Sequence, residues 1–177
     1  MLSPLLYAAY IDGLHPALRK EKLGIWMAGR LVPLLMYADD IVLLASSAEA
    51  MQRMCEVVSK YARQHRFEVN HGKSNLVVFG PKAARAKASS LTWKLGERSI
   101  EIMDHYRYLG AEVDAKGRKW SKLVARLAEN GSSYVNRLLW QGHGAWGFEP
   151  NTYAALWKAE GRSKTEYGCE LWEGDTR

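Results

Sequence analysis

The sequence predicts an α+β fold, with an antiparallel sheet that carries helices on one face and a small helical part that follows it. Two short apolar runs, 31–35 and 41–44, flank a polar tip, which is typical of a β-hairpin. Residues 48–66 and 120–140 instead repeat apolar side chains at helical spacing. A chain of 177 residues is long enough for one core, or for a core with a small appended unit.

Helix-start signals place two helices in the first half of the chain. Ser3 as N-cap and Pro4 at the first helical position predict a helix at the start of the sequence. Ser46 and Glu49 fit a capping box, so a second helix is expected to open there. This second helix is amphipathic and is therefore expected to pack on the sheet.

Turn residues divide the remaining apolar runs into short strands. Residues 67–70 and 76–79 predict two strands around a glycine-containing turn. Residues 93–95 and 100–102 predict a second hairpin, and residues 108–113 predict a further strand. The sheet of the α+β fold would be assembled from these runs.

The positive charge of the chain is concentrated in its middle third. The net charge is +6, and residues 81–140 hold 12 Lys and Arg against 6 Asp and Glu. Such a segment is typical of a polyanion partner, although charge alone leaves a solvated basic face open. Trp120, Trp140 and Trp157 lie on helical apolar faces, so we expect them in the core rather than on a surface that stacks nucleic-acid bases.

Membrane and disulfide-rich classes are not indicated. No apolar run approaches the roughly 18 residues that span a bilayer, and no signal-peptide pattern opens the sequence. We therefore expect an intracellular protein without a membrane partner. Cys55 and Cys169 lie far apart without metal-ligand spacing, so neither a disulfide framework nor a zinc site is predicted.

Asp39 and Asp40 form an acidic pair at the tip of the first predicted hairpin. Two like charges about 4 Å apart repel by roughly 1 kcal/mol in water, and by about 4 kcal/mol at an effective dielectric constant near 20. A divalent cation removes this repulsion, and carboxylate oxygens are the ligands that Mg²⁺ prefers. The pair therefore predicts a site for Mg²⁺ or Mn²⁺.

Five segments of the sequence resemble reverse transcriptase motifs, and they occur in the family's order. Residues 35–44 resemble the catalytic hairpin, and residues 2–6 and 69–74 resemble the motifs before and after it. Residues 108–110 are similar to the primer-grip strand of LINE-like elements, and residues 167–172 to the segment after their thumb. The chain thus resembles a reverse transcriptase domain of a non-LTR (LINE-like) retrotransposon.

The resemblance implies a fold, a division of the chain and an activity. Residues 1–80 would be a partial palm, residues 81–119 a basic connecting and primer-grip region, and residues 120–177 a helical thumb with the segment after it. The activity implied is RNA-templated DNA synthesis by two-metal nucleotidyl transfer, with an RNA template, a DNA primer and deoxynucleotides as partners.

The resemblance also implies roles for individual residues. Asp39 would be a direct metal ligand and Asp40 a second acidic group, while Tyr37 and Ala38 would line the primer end. Lys73 would protonate the leaving pyrophosphate. The helix that begins with Ser3 and Pro4 would pack on the template and incoming nucleotide. The residues expected to bind nucleic acid are Tyr108, Leu109, Gly110, Lys116, Arg118, Lys119 and Lys122.

Parts of the family pattern are missing from this sequence. Reverse transcriptases use a third carboxylate from a strand that precedes residues 2–6, and they have fingers that grip the template; neither is found here. Asp12 follows the first helix and is interpreted as a helix-end carboxylate. We therefore expect a chain that is truncated on its N-terminal side, binds Mg²⁺ or Mn²⁺ weakly and is inactive alone, unless a partner chain supplies the missing strand and fingers. The alternatives are a non-catalytic nucleic-acid-binding module and a relic without a selected role.

Overall fold

The chain forms two compact units of mixed helix and strand. The computed structural model describes residues 2–115, 120–142 and 147–172, and the units are Met1–Leu109 and Gly110–Arg177. This mixed architecture confirms the predicted α+β class in its general form. Within the described ranges, no helix has the length and apolar character needed to cross a bilayer.

The first unit contains four α-helices and eight strands among its described residues. The helices are α1 Ser3–Ile11, α2 Leu14–Lys20, α3 Ala48–His65 and α4 Lys82–Ser89, with a 3₁₀ turn at His71–Lys73. The strands are β1 Ile25–Met27, β2 Arg30–Val32, β3 Leu34–Tyr37, β4 Asp40–Leu43, β5 Asn75–Leu76, β6 Trp93–Leu95, β7 Arg98–Ile102 and β8 His105–Tyr108.

The predicted antiparallel sheet is divided into several small sheets in this unit, and one of their pairings is parallel. Strands β1 and β2 form one antiparallel pair, β3 and β4 form another, and β5, β7 and β6 form a third small sheet in that order. Strand β5 runs parallel to β7, with Asn75 opposite Glu101 and Leu76 opposite Ile102. The backbone groups of these short strands are therefore satisfied within several small sheets rather than in one continuous ladder.

Helices α2 and α3 supply most of the main core. Leu14, Leu18 and Met54 are fully buried there, and Val58 and Tyr61 of α3 extend the same apolar stripe. The stripe repeats at the spacing of one helix face, as the sequence predicted for α3. Half-buried side chains of β3 and β4 pack against the same cluster, so the core also supports the acidic hairpin.

The caps of α1 and α3 differ from the predicted ones by one residue. The Ser47 hydroxyl accepts a hydrogen bond from the Ala50 N–H over 3.1 Å, so Ser47 and not Ser46 caps α3. The N-cap of α1 is Leu2, and Ser3 is its first helical residue without a side-chain cap. Adjacent serines carry the same sequence signal, so only the path of the chain decides which hydroxyl meets the free N–H groups.

Helices α2 and α3 both end with a basic residue in the left-handed conformation. The Lys22 N–H donates to the Arg19 carbonyl, and the Leu23 N–H donates to the Leu18 carbonyl. Lys22 has a φ of 56°, which completes a Schellman motif, and Arg66 has the same φ after α3. Glycine is preferred at this position because it has no Cβ, so both basic residues are held at some cost in backbone energy.

Three of the predicted strands take another form. Residues 67–70 are not a strand, although Phe67 and Val69 pack against the core, and the next predicted strand is reduced to β5. The predicted strand 108–113 is interrupted, because Leu109 and Gly110 both have positive φ angles between β8 and the next strand. The alternation of apolar residues therefore predicted which side chains pack against the core, but it did not predict that the segment pairs with another strand.

The second unit consists mainly of helices. Its described elements are β9 Ala111–Asp114, α5 Ser121–Gln141, α6 Pro150–Leu156, a π-helical segment Trp157–Gly161, α7 Arg162–Thr165 and α8 Cys169–Trp172. Helix α5 follows the prediction for 120–140 and buries one stripe, formed by Leu123, Leu127, Gly131, Tyr134 and Leu138. Trp140 is 80% exposed, so the expectation that it belongs to the core is wrong.

Gly131 allows α5 and α7 to approach closely, and we expect Gly131→Ala to destabilise this unit. A Cβ at Gly131 would lie 2.5 Å from Cγ2 of Thr165, whose hydroxyl donates to the Gly161 and Arg162 carbonyls. Glycine to alanine in an open helix usually stabilises by about 0.5–1 kcal/mol. Here overpacking is expected to reverse the sign, with a loss of about 1–3 kcal/mol in urea unfolding.

A matched background tests the cause of that loss. Thr165→Ser removes the methyl group that the new Cβ would meet and keeps the hydroxyl. In the Thr165→Ser protein, Gly131→Ala is expected to be neutral or stabilising. Equal losses in both backgrounds would show that the contact between Gly131 and Thr165 does not limit the packing.

Candidate functional site

The acidic pair lies at the tip of a tight antiparallel hairpin. Strands β3 and β4 pair from Leu34 opposite Leu43 to Tyr37 opposite Asp40, which leaves Ala38 and Asp39 as a two-residue turn. The predicted polar tip is therefore shorter than residues 36–40. Asp39 lies in the turn, and Asp40 is the first residue of β4; both are exposed.

Alternation along the two strands determines which side chains face the core. Leu34, Met36, Ile41 and Leu43 belong to the main core cluster or pack against it. Because successive side chains of a strand point to opposite faces, the pair Tyr37 and Asp40 must lie on the other face. Tyr37 is 66% exposed, in agreement with this placement. The hairpin is thus anchored by one face and presents the other face to solvent.

The turn contains a residue in an unfavourable backbone conformation. Ala38 has a φ of 51°, whereas Asp39 is not among the described residues with positive φ. A positive φ at the first central position alone is the pattern of a type II′ turn, which matches the twist of paired strands and favours glycine there. Strain of this kind, of about 1–3 kcal/mol, is concentrated at functional sites in proteins.

Two tyrosine hydroxyls share the electrostatic environment of the acidic pair. Burial raises the pKa of Tyr7 above its ordinary value, and the negative charge of Asp39 raises it further. Burial likewise raises the pKa of Tyr108, with a further increase from Asp40. Tyr108 was predicted to bind nucleic acid, whereas Tyr7 was not singled out. Its position one helical turn after Ser3 and Pro4 is the signal that could have identified it.

The donor set fits only part of a two-metal site. Asp39 and Asp40 are hard, exposed oxygen ligands of the kind that Mg²⁺ prefers. Across residues 2–115, 120–142 and 147–172, however, no group of three or more His, Cys, Asp or Glu side chains could hold a metal ion. Asp12 is the C-cap of α1, as its interpretation as a helix-end carboxylate required. The two carboxylates could supply part of the ligand set of a hard divalent cation.

The other predicted site residues are distributed over both units. Ser3 and Pro4 are exposed at the start of α1, and Lys73 is exposed at the end of the 3₁₀ turn, where the Tyr106 hydroxyl donates to its carbonyl over 3.4 Å. Leu109 follows β8. Gly110 and Lys122 belong to the second unit, with Lys122 exposed in the first turn of α5. Three predicted contacts lie outside the described residues: Lys116, Arg118 and Lys119.

A comparison with protein families decides what kind of domain this is. The family model for reverse transcriptase (RNA-dependent DNA polymerase) matches residues 1–113, which is more than half of the chain. The chain belongs to the reverse transcriptase family. The matched segment includes the acidic hairpin and the helix before it, so the family resemblance noted in the sequence is confirmed.

A relative places this reverse transcriptase domain among retrotransposon proteins. The chain is 27% identical over 122 residues to the retrovirus-related Pol polyprotein from type-1 retrotransposable element R2 of Nasonia vitripennis. The match covers 66% of this chain and 12% of that relative. Together with the family match, it confirms the predicted non-LTR type. The domain therefore corresponds to a small part of the relative's length.

Proposed function

We propose that this domain contributes the acidic hairpin of an RNA-directed DNA polymerase. In this proposal it takes part in copying an RNA template onto a DNA primer from deoxynucleotides. The observation that supports it most is the hairpin itself, in which Asp39 and Asp40 project from a tip whose other face is anchored in the core. A rigid strand pair positions such ligands better than a loop does.

The neighbouring residues take the roles that the family resemblance suggests. Tyr37 and Ala38 line the primer end, and Lys73 donates a proton to the leaving pyrophosphate. Helix α1, from Ser3 and Pro4, supports the template and the incoming nucleotide. In this division the first unit holds palm structure, and the helices of the second unit, with the exposed Lys122, form the thumb.

This chain alone is proposed to lack polymerase activity. Asp39 and Asp40 would hold a single Mg²⁺ or Mn²⁺ ion weakly, because the described residues bring no third carboxylate to them. Nucleotidyl transfer by two metal ions needs ligands that bridge both ions about 3.5–4 Å apart. A segment that supplies this carboxylate and the fingers would complete the site.

Binding of Mn²⁺ tests the acidic pair without relying on activity. At about 4 Å in water, one carboxylate attracts a divalent ion by roughly 2 kcal/mol, so Asp39→Asn is expected to weaken Mn²⁺ binding about tenfold or more. Electron paramagnetic resonance of free Mn²⁺ measures this change. Asp12→Asn is the matched control, because it removes an exposed carboxylate at the end of α1 and is expected to leave binding unchanged. Equal effects of the two substitutions would contradict a site at the hairpin.

Primer extension tests the inactivity of the isolated chain. With an RNA template, a DNA primer and Mg²⁺ or Mn²⁺, the 177-residue protein is expected to incorporate no deoxynucleotide above background. Asp39→Asn serves as the reference for background. Template-dependent incorporation that disappears in Asp39→Asn would overturn this part of the proposal.

A second candidate function is a non-catalytic nucleic-acid-binding module. It is favoured by the basic segment 81–140, whose exposed cations in the first unit are Lys82, Lys87, Lys94, Arg98 and Arg107. Filter binding distinguishes the two candidates. Affinity that falls steeply with salt and is indifferent to Asp39→Asn would support the binding module, because phosphate contacts release counterions. Affinity that requires Mg²⁺ and Asp39 would support the polymerase site.

A further inference from the structure

The hairpin of β1 and β2 ends in an exposed aromatic tip. Trp26 is 76% exposed and Met27 is 48% exposed, although both are large apolar side chains. They pair with Leu31 and Arg30, and the turn between them contains Ala28 and Gly29. Both turn residues have positive φ angles, 49° and 74°, as in a type I′ turn. All five residues from 26 to 30 are exposed, so the tip projects from the first unit.

The base of this hairpin is anchored, in contrast to its tip. Ile25 and Val32 form the innermost pair and are half-buried, and Pro33 beside them is fully buried. Pro33 continues into the acidic hairpin, since its carbonyl accepts from the Leu44 N–H over 2.8 Å. The paired strands β1 and β2 therefore hold Trp26 in its exposed position.

Several exposed cations lie in the sequence just before the hairpin and on the hairpin itself. Arg19, Lys20 and Lys22 are exposed at the end of α2, and Arg30 is exposed on the hairpin. The carboxylate of Glu21, which lies between them, contacts the Arg53 guanidinium at 3.4 Å. The one acidic residue of this stretch is thus engaged with α3. Exposed cations therefore precede the aromatic tip, whereas Arg30, opposite Met27, lies on the other face of the hairpin from Trp26.

Lys22 occupies a position where glycine would have a lower backbone conformational energy. Its φ of 56° is that of the Schellman motif at the end of α2. A non-glycine residue is held in this conformation at a cost in backbone energy. Compared with glycine, Lys22 adds an exposed ammonium group a few residues before the tip.

We propose that Trp26, together with Lys22, forms a contact for single-stranded nucleic acid. A base stacks on the Trp26 indole, and the Lys22 ammonium contacts a neighbouring phosphate. The proposal rests on the proposed polymerase function and extends it by placing unpaired template at the hairpin that precedes the acidic hairpin. It deals with binding only, so no metal ion and no chemical step are involved.

The chemistry of the surface favours nucleic acid over a protein partner. Protein interfaces are enriched in Trp, Met and Arg but depleted in lysine, whereas single-stranded nucleic acid is held by aromatic rings interleaved with cations. The exposed Lys20 and Lys22 are therefore the residues that favour nucleic acid. An indole accepts the face of any base, so a single exposed tryptophan gives affinity without sequence preference. Charge complementarity between the Lys and Arg side chains and phosphate adds the salt-dependent part of the binding.

The first experiment replaces the ring of Trp26. Binding of a fluorescein-labelled 20-nucleotide single-stranded RNA, and of a DNA of the same sequence, is measured by anisotropy with the full 177-residue chain in EDTA. Loss of one stacked base is expected to weaken binding about 5- to 150-fold in Trp26→Ala, and less in Trp26→Phe. Phe79→Ala is the matched control, because Phe79 is also an exposed aromatic residue, at 58%. Unchanged affinity in Trp26→Ala would overturn the proposal.

The second experiment separates binding from folding. Lys22→Gly removes a charge and relieves the strained φ, so its melting temperature is expected to rise by about 1–5 °C. Its RNA affinity is nevertheless expected to fall, with a salt slope reduced by about 0.7. Arg66→Gly makes the same change at the end of α3 and is expected to gain stability without losing affinity. Equal losses of affinity in the two variants would show that only net charge matters, and would overturn a local contact.

Two further outcomes keep this proposal distinct from the polymerase proposal. Asp39→Asn is expected to bind the RNA like the unmodified chain in EDTA, so failure of the acidic site leaves this test intact. Loss of self-association in Trp26→Ala during sedimentation, with RNA affinity unchanged, would instead assign the tip to a contact between copies of the chain. That result would overturn the nucleic-acid proposal and leave the acidic hairpin unaffected.

Discussion

Replacement of Leu14 by alanine is expected to lower the free energy of unfolding of the first unit by about 2–5 kcal/mol. Leu14 is fully buried in α2 and belongs to the same core cluster as Leu18 of α2 and Met54 and Val58 of α3. Its loss removes apolar contacts and leaves a cavity that the short helix α2 cannot close. A domain is typically stable by about 5–15 kcal/mol, so this loss is a large share.

Two variants control for the chemistry of that change. Leu14→Met nearly conserves volume and is expected to cost less than about 1.5 kcal/mol in urea unfolding. Leu5→Ala makes the same deletion at a side chain of α1 that is 69% exposed, and is expected to change stability by about 0.5 kcal/mol or less. A cost for Leu14→Ala as small as that for Leu5→Ala would contradict the packing of α2 against α3.

Replacement of Gly24 by alanine is expected to destabilise the first unit by about 2–5 kcal/mol, which combines backbone strain with overpacking. Gly24 has a φ of 135°, a conformation that residues with a Cβ rarely adopt. A Cβ there would lie 2.7 Å from the Val32 carbonyl oxygen and 2.9 Å from Cα of Pro33. These are backbone atoms beside a fully buried proline, so they cannot move aside as a flexible side chain would.

Gly80→Ala separates the two contributions for Gly24. Gly80 has a similar φ of 124°, and a Cβ at Gly80 would meet no atom within 4 Å. It should therefore report backbone strain alone, at about 1–2 kcal/mol. Thermal unfolding followed by circular dichroism measures both variants. If Gly24→Ala costs no more than Gly80→Ala, then the close approach of Gly24 to Pro33 is not limiting.

The elements that could be predicted are those with a strong local pattern, either a long apolar stripe on a helix or two short strands joined by a turn. Helices α3 and α5 have long apolar stripes, and the hairpin of β6 and β7 was predicted, with a turn that the structure narrows to Gly96 and Glu97. Helix α2 and the hairpin of β1 and β2 were not predicted. Pro16 falls inside α2, and Ala28 stands in a turn where asparagine or glycine would be the usual signal. These elements depend on tertiary packing more than on local preference.

Strands were the least predictable elements, because a strand requires a partner that the local sequence does not specify. Phe67 and Val69 alternate as in a strand and pack against the core, yet residues 67–70 have no strand pairing. Residues 108–113 also alternate, but the left-handed Leu109 and Gly110 divide them. Trp140 shows the corresponding limit for helices, since an apolar residue beside a buried stripe can still lie in solvent.

The candidate site was predictable in its identity and less so in its geometry. Two adjacent aspartates between apolar runs predicted the hairpin tip, and the structure narrows that tip to Ala38 and Asp39. The positive φ of Ala38 had no sequence signal, because alanine is not a turn residue. The electrostatic influence of Asp39 on Tyr7 could not be seen either, since it arises from packing between α1 and the hairpin core.

Because β3 and β4 pair in a fixed register, each side chain of the acidic hairpin faces either the core or the solvent. Tyr37 and Asp40 face away from the core because each lies next to a residue, Met36 or Ile41, that packs against it. One extra residue inside β4 would turn Asp40 inward and Ile41 outward. Two extra residues in each strand would leave every side chain on its present face and move the tip outward by about 7 Å. The reach of this tip can therefore change during evolution or design only in steps of two residues.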